Sequence, residues 1–354
     1  MEPVTHLAAG LLTAQALRPS RRIFFGAEKD GRGLTLLCAV AATIPDVDSL
    51  AGLLGPESYL LHHRGATHSI VLLPAYALLL AWAARKLGAR LGLAQGFLAA
   101  ALALSTHLFL DVVTTFGTQI FAPFSHMRVS FEGVFIVDPA FTLALLGFAL
   151  AARLRPEHAR RLALYGLALM LAYPLAGNAL RLDMTRRYEN LLAERGEAAT
   201  RVSLSPDALS PWYWKVVLED GQSLRVTTAT PADLAGPWPV LRLLPLQRAE
   251  LERLGGQASF FGTYAWFAIH PAERPAEGPP EAGGATGLRM RHFLDAAYVN
   301  TGPVMTALFG PRPGFAECAA FMDTAGRLVA WRDWSGRTHP VPDHGGIPAS
   351  AHAR

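Results

Sequence analysis

The sequence predicts a mainly α polytopic bundle of membrane helices followed by a C-terminal β-rich extramembrane domain, α+β overall. Three observations carry that prediction. The chain is 51% hydrophobic with a mean hydropathy of +0.24, and only 17% of its 354 residues are charged, below the roughly 25% usual for soluble domains. The apolar character is uneven: Ala and Leu dominate residues 1–180, whereas residues 181–354 have the composition of a soluble domain. The net charge of +4 comes partly from Arg clusters between apolar segments, a membrane-orientation pattern. No Lys/Arg stripe with interleaved aromatics appears, so nucleic acid is not an expected partner. The expected organisation is a membrane-embedded helical domain over 1–180, a β-rich soluble domain over 200–332 and a disordered tail over 333–354.

Apolar stretches run at about 4–17, 34–54, 69–84, 93–116, 134–152 and 162–180. A spanning helix needs about 20 apolar residues. The first stretch is short and the second is interrupted by Pro45-Asp46-Val47-Asp48, so these two are read as partly crossing or lining a cavity. The other four are read as spans. The start lacks a basic n-region, so no cleavable signal peptide is expected. Loops 18–33, 85–92 and 153–161 are rich in Arg and Lys, whereas loops 55–67 and 114–133 hold one basic residue each, Arg64 and Arg128. Basic loops stay cytoplasmic, so the sequence reads as a multi-pass inner-membrane protein with the C-terminal domain outside. Arg181, Arg186 and Arg187, after the last segment, count against that orientation.

In the second half, Trp212 to Leu218 is an alternating aromatic-rich run, Asp220-Gly221 marks a hairpin, and Ser223 to Thr227 returns. Trp212 and Trp214 suit a membrane interface. Further strand-like runs are 259–269, 315–322 and 327–332, with Asp323 to Gly326 as a turn. Residues 240–254 read as a short helix and 271–287 as a loop. Cys38 and Cys318 support neither a disulfide nor a cysteine metal site.

Ionisable groups inside apolar segments are expensive and usually functional. Here they recur at His6, at Asp46 and Asp48, at His62, His63, Arg64 and His68, and at His107 and Asp111. In the topology above all of them fall near the outer face. His107 and Asp111, four apart, share a helical face. Pro45 ends a helix and aims Asp46 and Asp48 into a cavity. His68 starts a helix, with His63 five residues earlier, in reach of a common ion. Arg64 is a fork for a phosphate oxygen, with Arg128 as a second anion contact. Thr67 or Ser69 caps the following helix. His62 is read as a solvated loop residue, His126 as a weak candidate, and His158, His270, His292, His339, His344 and His352 as surface residues. The expected metal ligands are therefore His6, Asp46, His63, His68, His107 and Asp111, with Asp111 bridging and His6 the most dispensable. Nitrogen and carboxylate donors without thiolate suit one or two divalent ions, zinc first, manganese or iron otherwise.

The order His6, Pro45-Asp46-Val47-Asp48, His63-Arg64-Gly65-x-Thr67-His68-Ser69, His107-x-x-x-Asp111, Gly117 and Pro123-Phe124-Ser125 resembles the bacterial inner-membrane metal-dependent hydrolases of the YdjM/YbcI type. Some members of that family are described as LexA-binding or under LexA control. The ligand order is also similar to that of zinc-dependent phospholipase C and related single-strand nucleases. That likeness implies His6, one of Asp46 and Asp48, one of His63 and His68, His107 and Asp111 as ligands. The further His…His-x-x-x-Glu set of those enzymes is absent after Asp111, so a dinuclear or mononuclear site is expected.

The expected function is metal-dependent hydrolysis of a phosphoester at or near the membrane surface, with lipid as neighbour. Arg64 would hold a non-bridging oxygen, and Asp48 or Asp46 would act as general base. The alternative is a non-catalytic, metal-stabilised scaffold or a regulatory protein partner. Metal transport would spread ligands through the membrane depth, against the clustering seen.

Overall fold

Pro3 at the first helical position and Glu2, whose carboxylate accepts the Val4 and Thr5 amides, open α1 (Pro3–Leu17). In this computed structural model, which describes residues 1–18, 31–197, 201–275, 288–309 and 314–341, α1 is followed by α2 (Gly31–Thr43). Pro45 cannot continue the α-helical ladder, and the chain tightens into a 3₁₀ stretch, Ile44–Leu54, that carries Asp46 and Asp48. Then come α3 (Pro56–His62), a single 3₁₀ turn Ala66–His68, α4 (Leu73–Lys86), α5 (Leu93–Val112), α6 (Pro139–Leu154) and α7 (Ala159–Glu194).

Among the described residues, three helical stretches are long and apolar enough to cross a membrane: Gly31–Leu54, Leu93–Val112 and Ala159–Glu194. Pro56–His68 with Leu73–Lys86 makes a broken pair that counts as a fourth. Two expectations change. The 34–54 stretch reaches spanning length, because its Pro-Asp interruption is absorbed as 3₁₀ helix. The 134–152 stretch does not, because Asp138 caps the Phe141 amide and starts α6 late. The last apolar segment also continues as helix well past residue 180, to Glu194.

The helices approach closely because their contact faces are small. A Cβ on Gly10 would stand 2.7 Å from both the Ala42 Cβ and the Cys38 carbonyl, so α1 and α2 touch backbone to backbone, as small residues allow between membrane helices. Buried Ala14, Ala41, Ala42, Ala77, Ala99, Ala100 and Ala103 extend that packing across α2, α4 and α5. Leu12, Leu110, Phe141, Leu145 and Met170 form a second cluster among α1, α5, α6 and α7.

The described chain divides into two compact units, Met1–Leu53 with His62–Leu182 and Pro206–Pro211, and Leu54–Leu61 with Asp183–Ser205 and Trp212–Arg354. In the first, the returning segment is anchored by Ser210, whose hydroxyl donates to Asp138. In the second, Glu57 accepts hydrogen bonds from Ser259 and Thr263.

The second unit is built on a nine-stranded sheet in sequence order: β1 (Arg201–Pro206), β2 (Trp214–Glu219), β3 (Leu224–Ala229), β4 (Leu241–Pro245), β5 (Pro271–Glu273), β6 (Arg289–Asp295), β7 (Cys318–Met322), β8 (Leu328–Arg332) and β9 (Thr338–Pro340). From β2 onward neighbours pair antiparallel. Helices α8 (Arg248–Gly255), α9 (Ser259–Phe267) and α10 (Pro303–Phe309) fill the connections. The hairpins at 214–229 and 318–332 form where alternation and turn residues place them. Five other expectations are corrected. Residues 259–267 are helix, not strand: Phe260, Phe261, Tyr264, Ala265 and Phe267 are buried at helical spacing, and aromatic enrichment masks that period. The 240–254 segment is a strand followed by a helix. Pro271–Glu273 is a strand, and residues 276–287 of that expected loop lie outside the described residues. β9 lies inside the expected tail, whose residues 342–354 lie outside the described residues. Trp212 is exposed, but Trp214 is fully buried in the sheet core and not at a surface.

Candidate metal centre

Four elements of the helical unit deliver the ionisable side chains. His6 lies one turn into α1, one turn before Gly10, so the close α1–α2 approach brings it toward the end of α2. Asp46 and Asp48 follow on the 3₁₀ stretch. His63, Arg64 and His68 come from the link into α4, and His107 and Asp111 from the buried face of α5. His6, His68, His107 and Asp111 are completely buried, while the Asp46 side chain keeps 22% exposure and forms the open edge.

The protons of two imidazoles are fixed by their far sides. His107 Nδ1 lies 2.7 Å from the Ala42 carbonyl, which can only accept, so Nδ1 carries the hydrogen. His68 Nδ1 lies 2.9 Å from the Thr67 hydroxyl oxygen, whose own hydrogen goes to Asp48 Oδ2, and 3.0 Å from that carboxylate oxygen, so Nδ1 carries the hydrogen here too. Both Nε2 atoms therefore present lone pairs, and they face each other at 2.9 Å. Asp111 Oδ2 adds a third lone pair, 2.9 Å from His68 Nε2 and 3.3 Å from His107 Nε2, and it accepts no hydrogen bond. His6 Nε2 lies 3.4 Å from Asp111 Oδ1 and 3.8 Å from Asp46 Oδ2, and neither of its ring nitrogens has a hydrogen-bond partner. Asp46 Oδ1 completes the ring, 3.6 Å from His68 Nε2 and 3.8 Å from His107 Nε2.

Lone pairs converging in a buried space repel unless a cation sits among them. The seven separations above span 2.9–3.8 Å, and donor atoms around a tetrahedral zinc stand about 3.3 Å apart. His6, Asp46, His107 and Asp111 each place one ligand atom within 4.8 Å of the others, a group able to hold a metal ion. A second such group is Asp46, Asp48 and His63. The residue common to both is Asp46, whereas the sequence reading makes Asp111 the bridge. His6, expected to be dispensable, is a fully buried member with unsatisfied nitrogens.

Arg64 is not turned outward toward an anion. Its guanidinium is 2% exposed, lies 3.0 Å from Asp111 Oδ1, and donates to the Asp111 carbonyl and the Thr114 hydroxyl. The Met1 amino group also bonds Asp111 Oδ1. Arg64 has φ +58, a left-handed conformation uncommon for a residue with a Cβ, and its amide donates to Asp48 Oδ2 at 3.0 Å. Asp48 in turn accepts from His63 Nδ1 at 2.8 Å and from the Thr67 hydroxyl at 2.5 Å. Thr67 is thus no helix cap. Nor does Ser69 cap it: its hydroxyl accepts from the Val71 and Leu72 amides in the turn ahead of α4, which has no side-chain cap.

Arg128 is likewise occupied, bonded to the Phe116 carbonyl. His62 is exposed, and His126 pairs with Gln119. His270 and His339 are not free surface residues: His270 is buried against Glu219, and His339 stacks on Trp331 and bonds Asp333. His344 and His352 lie outside the described residues. The signal missed at Arg64 was its setting: a cation next to Gly in a tight link between two apolar helices is more readily buried against a carboxylate than offered to a ligand.

No curated protein and no solved structure matches this chain. A family model, described as YdjM inner membrane protein, matches residues 1–182, which contain every residue of the centre. The chain therefore belongs to the YdjM inner membrane protein family.

Proposed function

We propose that this chain is a multi-pass inner-membrane hydrolase that uses a bound divalent cation, zinc in the first instance, to cleave a phosphoester at the membrane surface. The observation that carries the reading is the pair of imidazole lone pairs meeting at 2.9 Å beside a carboxylate oxygen that no donor among the described residues bonds. His6, His68, His107, Asp46 and Asp111 would hold the ion. Such a cation supplies Lewis acidity, lowering the pKa of water and drawing a phosphoryl oxygen. Arg64 holds Asp111 in its ligand orientation, and the Ala42 carbonyl and Asp48 fix the tautomers of His107 and His68, as outer partners of metal-binding histidines do. Asp46 lies at the exposed edge and borders the path of any incoming substrate. Ile44, Val47 and Leu50 around it are exposed and apolar, which supports a substrate carried in or on lipid.

A second reading, a metal-stabilised scaffold, draws on the complete burial of four of the five ligands. Solvent access at Asp46 favours the enzyme, since a closed centre suits a structural ion and an open position a catalytic one. The test is metal analysis of the purified protein, followed by phosphomonoester and phosphodiester hydrolysis in mixed lipid vesicles with and without chelator. Chelator-sensitive turnover supports the hydrolase. A bound ion with no turnover on any of these substrates leaves the scaffold, and no bound ion removes both.

The basic loops 18–33, 85–92 and 153–161 support a cytoplasmic placement, with the centre near the outer face and the C-terminal domain outside. Arg181, which counts against this by charge alone, is paired with Glu132 at 2.9 Å. A cysteine placed in loop 55–67 should react with an impermeant reagent on whole cells, and one in loop 85–92 should not. The opposite pattern inverts the topology.

A further inference from the structure

We infer that the centre takes a single cation, and that Asp48 is not its ligand but the positioning carboxylate that presents His68 and Arg64 to it. The inference rests on the metal-binding reading above and goes beyond it, because the ligand chemistry alone permits a second ion among Asp46, Asp48 and His63.

The hydrogen bonds of Asp48 argue against that second ion. An ionised carboxylate offers about four lone-pair sites. Asp48 Oδ1 receives the His63 Nδ1 hydrogen at 2.8 Å, while Oδ2 receives the Arg64 amide at 3.0 Å, the Thr67 hydroxyl at 2.5 Å and His68 Nδ1 at 3.0 Å. Three of these donors crowd Oδ2, and Oδ1 holds one, from His63. A cation bound at Oδ2 would have to displace these donors, and the His63 nitrogen nearest to Oδ1 carries a hydrogen in place of a lone pair. The contrast with Asp111 is direct, since among the described residues no donor bonds Asp111 Oδ2. Two neighbouring carboxylates in the same apolar setting are thus in opposite states, one filled by donors and one left for a cation.

The filled carboxylate does two further things. Its bond to His68 Nδ1 places that hydrogen away from the centre and leaves Nε2 as the ligand atom. Its bond to the Arg64 amide holds the left-handed backbone from which the guanidinium reaches Asp111. A Cβ on the next residue, Gly65, would stand 2.8 Å from the His62 carbonyl, so the link folds tightly where only glycine fits, and Asp48 bonds to both sides of it. One carboxylate thereby sets the orientation of both His68 and Asp111.

The test uses the full chain in detergent micelles, stripped with chelator and titrated with Co²⁺ while the ligand-field absorption is followed, with metal analysis after gel filtration. Wild-type protein should saturate at one equivalent. Asp48→Asn should also saturate at one equivalent, with affinity weaker by about 10–100-fold, whereas Asp46→Asn should fall further. In protein carrying ¹⁵N-histidine, the His68 imidazole of the metal-free wild type should show the Nδ1–H tautomer, and Asp48→Asn should shift it toward a mixture, a change that a merely structural role would not produce. Two equivalents in the wild type dropping to one in Asp48→Asn would make Asp48 a ligand and overturn the inference while leaving the hydrolase reading intact. No bound cation in the wild type would overturn both. The wild-type stoichiometry decides even if the Asp48 variant does not fold.

Discussion

Asp111 in the helical unit and Asp295 in the sheet unit are both buried carboxylates, and they are satisfied in opposite ways. Asp295 accepts three backbone amides, from Ile269, His270 and Ala297, at 2.7–3.0 Å. It caps the short 3₁₀ turn Ala296–Tyr298 after β6 and ties the end of α9 to the sheet. Asp111 receives Arg64 and the Met1 amino group on one oxygen and offers the other to imidazole lone pairs. A buried charge closed by backbone amides is part of the fold, because the donors are covalently fixed and always present. A buried charge with one side facing other acceptors is incomplete without a cation. Asp207 Oδ2 is also buried without a donor, but it belongs to neither ligand group, so an orphan oxygen alone is not a site. Convergence with nitrogen donors makes the difference.

The sharpest way to break this comparison is to neutralise each carboxylate. Asp111→Asn should abolish metal binding, read as loss of the ion after gel filtration, while the protein still inserts in the membrane. Asp295→Asn should keep the ion and cost about 1–3 kcal/mol of stability through lost amide acceptors. An Asp111→Asn protein with its ion intact would remove the distinction. The cations opposite the carboxylates extend the contrast. Removing the buried Arg64 as Arg64→Met leaves Asp111 uncompensated and should cost about 3–5 kcal/mol. Arg291, which bonds Glu273 and Glu250 at a partly solvated site, should cost about 1 kcal/mol as Arg291→Met. Thermal unfolding in one detergent ranks the two.

Close packing offers a smaller perturbation. Gly10→Ala places a methyl against Ala42 and the Cys38 carbonyl, and overpacking of this kind costs about 1–3 kcal/mol. Because His6 is one turn away on α1, the same substitution should also weaken metal binding. A Gly10→Ala protein that loses stability with unchanged metal affinity would uncouple the α1–α2 approach from the centre.

The two units also differ in how much of them can be read from residues alone. His107 and Asp111, four apart on an apolar helix, declare a shared face, and Pro45 declares the break that carries Asp46. What the residues cannot declare is which polar group serves which. Arg64, His63 and Asp48 have the chemistry of substrate contact and base, yet hydrogen bonds between positions 48, 63, 64, 67 and 68 turn them inward. Those bonds depend on how loop 62–69 folds back on the 3₁₀ stretch, a non-local fact. In the sheet unit, Asp220-Gly221 and Asp323 to Gly326 announce their hairpins because a turn is decided by four residues. The α9 segment misleads because its aromatic residues have strand propensity, while its burial at helical spacing is set by Phe293 and Trp331, which come from distant strands.

The smallest effect expected lies at one of those legible turns and tests the sheet side of the comparison. Asp220 is half-buried, and its carboxylate accepts the Ser223 hydroxyl and the Gln222 and Ser223 amides. Those bonds, the Ser223 hydroxyl foremost, hold its pKa down from the ordinary 3.8 to about 2. The folded state therefore binds the proton less readily than the unfolded chain. The stabilisation is fully present above about pH 4, declines as pH falls through the interval from 3.8 to about 2, and is absent below it. Asp220→Asn should be slightly less stable than wild type at neutral pH, and the gap in unfolding midpoint should close as the pH drops through that window. Metal content at neutral pH should be identical in the two proteins, since this carboxylate is satisfied by its own turn. A midpoint gap that stays constant down to pH 2 would mean that the turn geometry of Gly221, with φ +85, rather than the Asp220 charge, holds the hairpin.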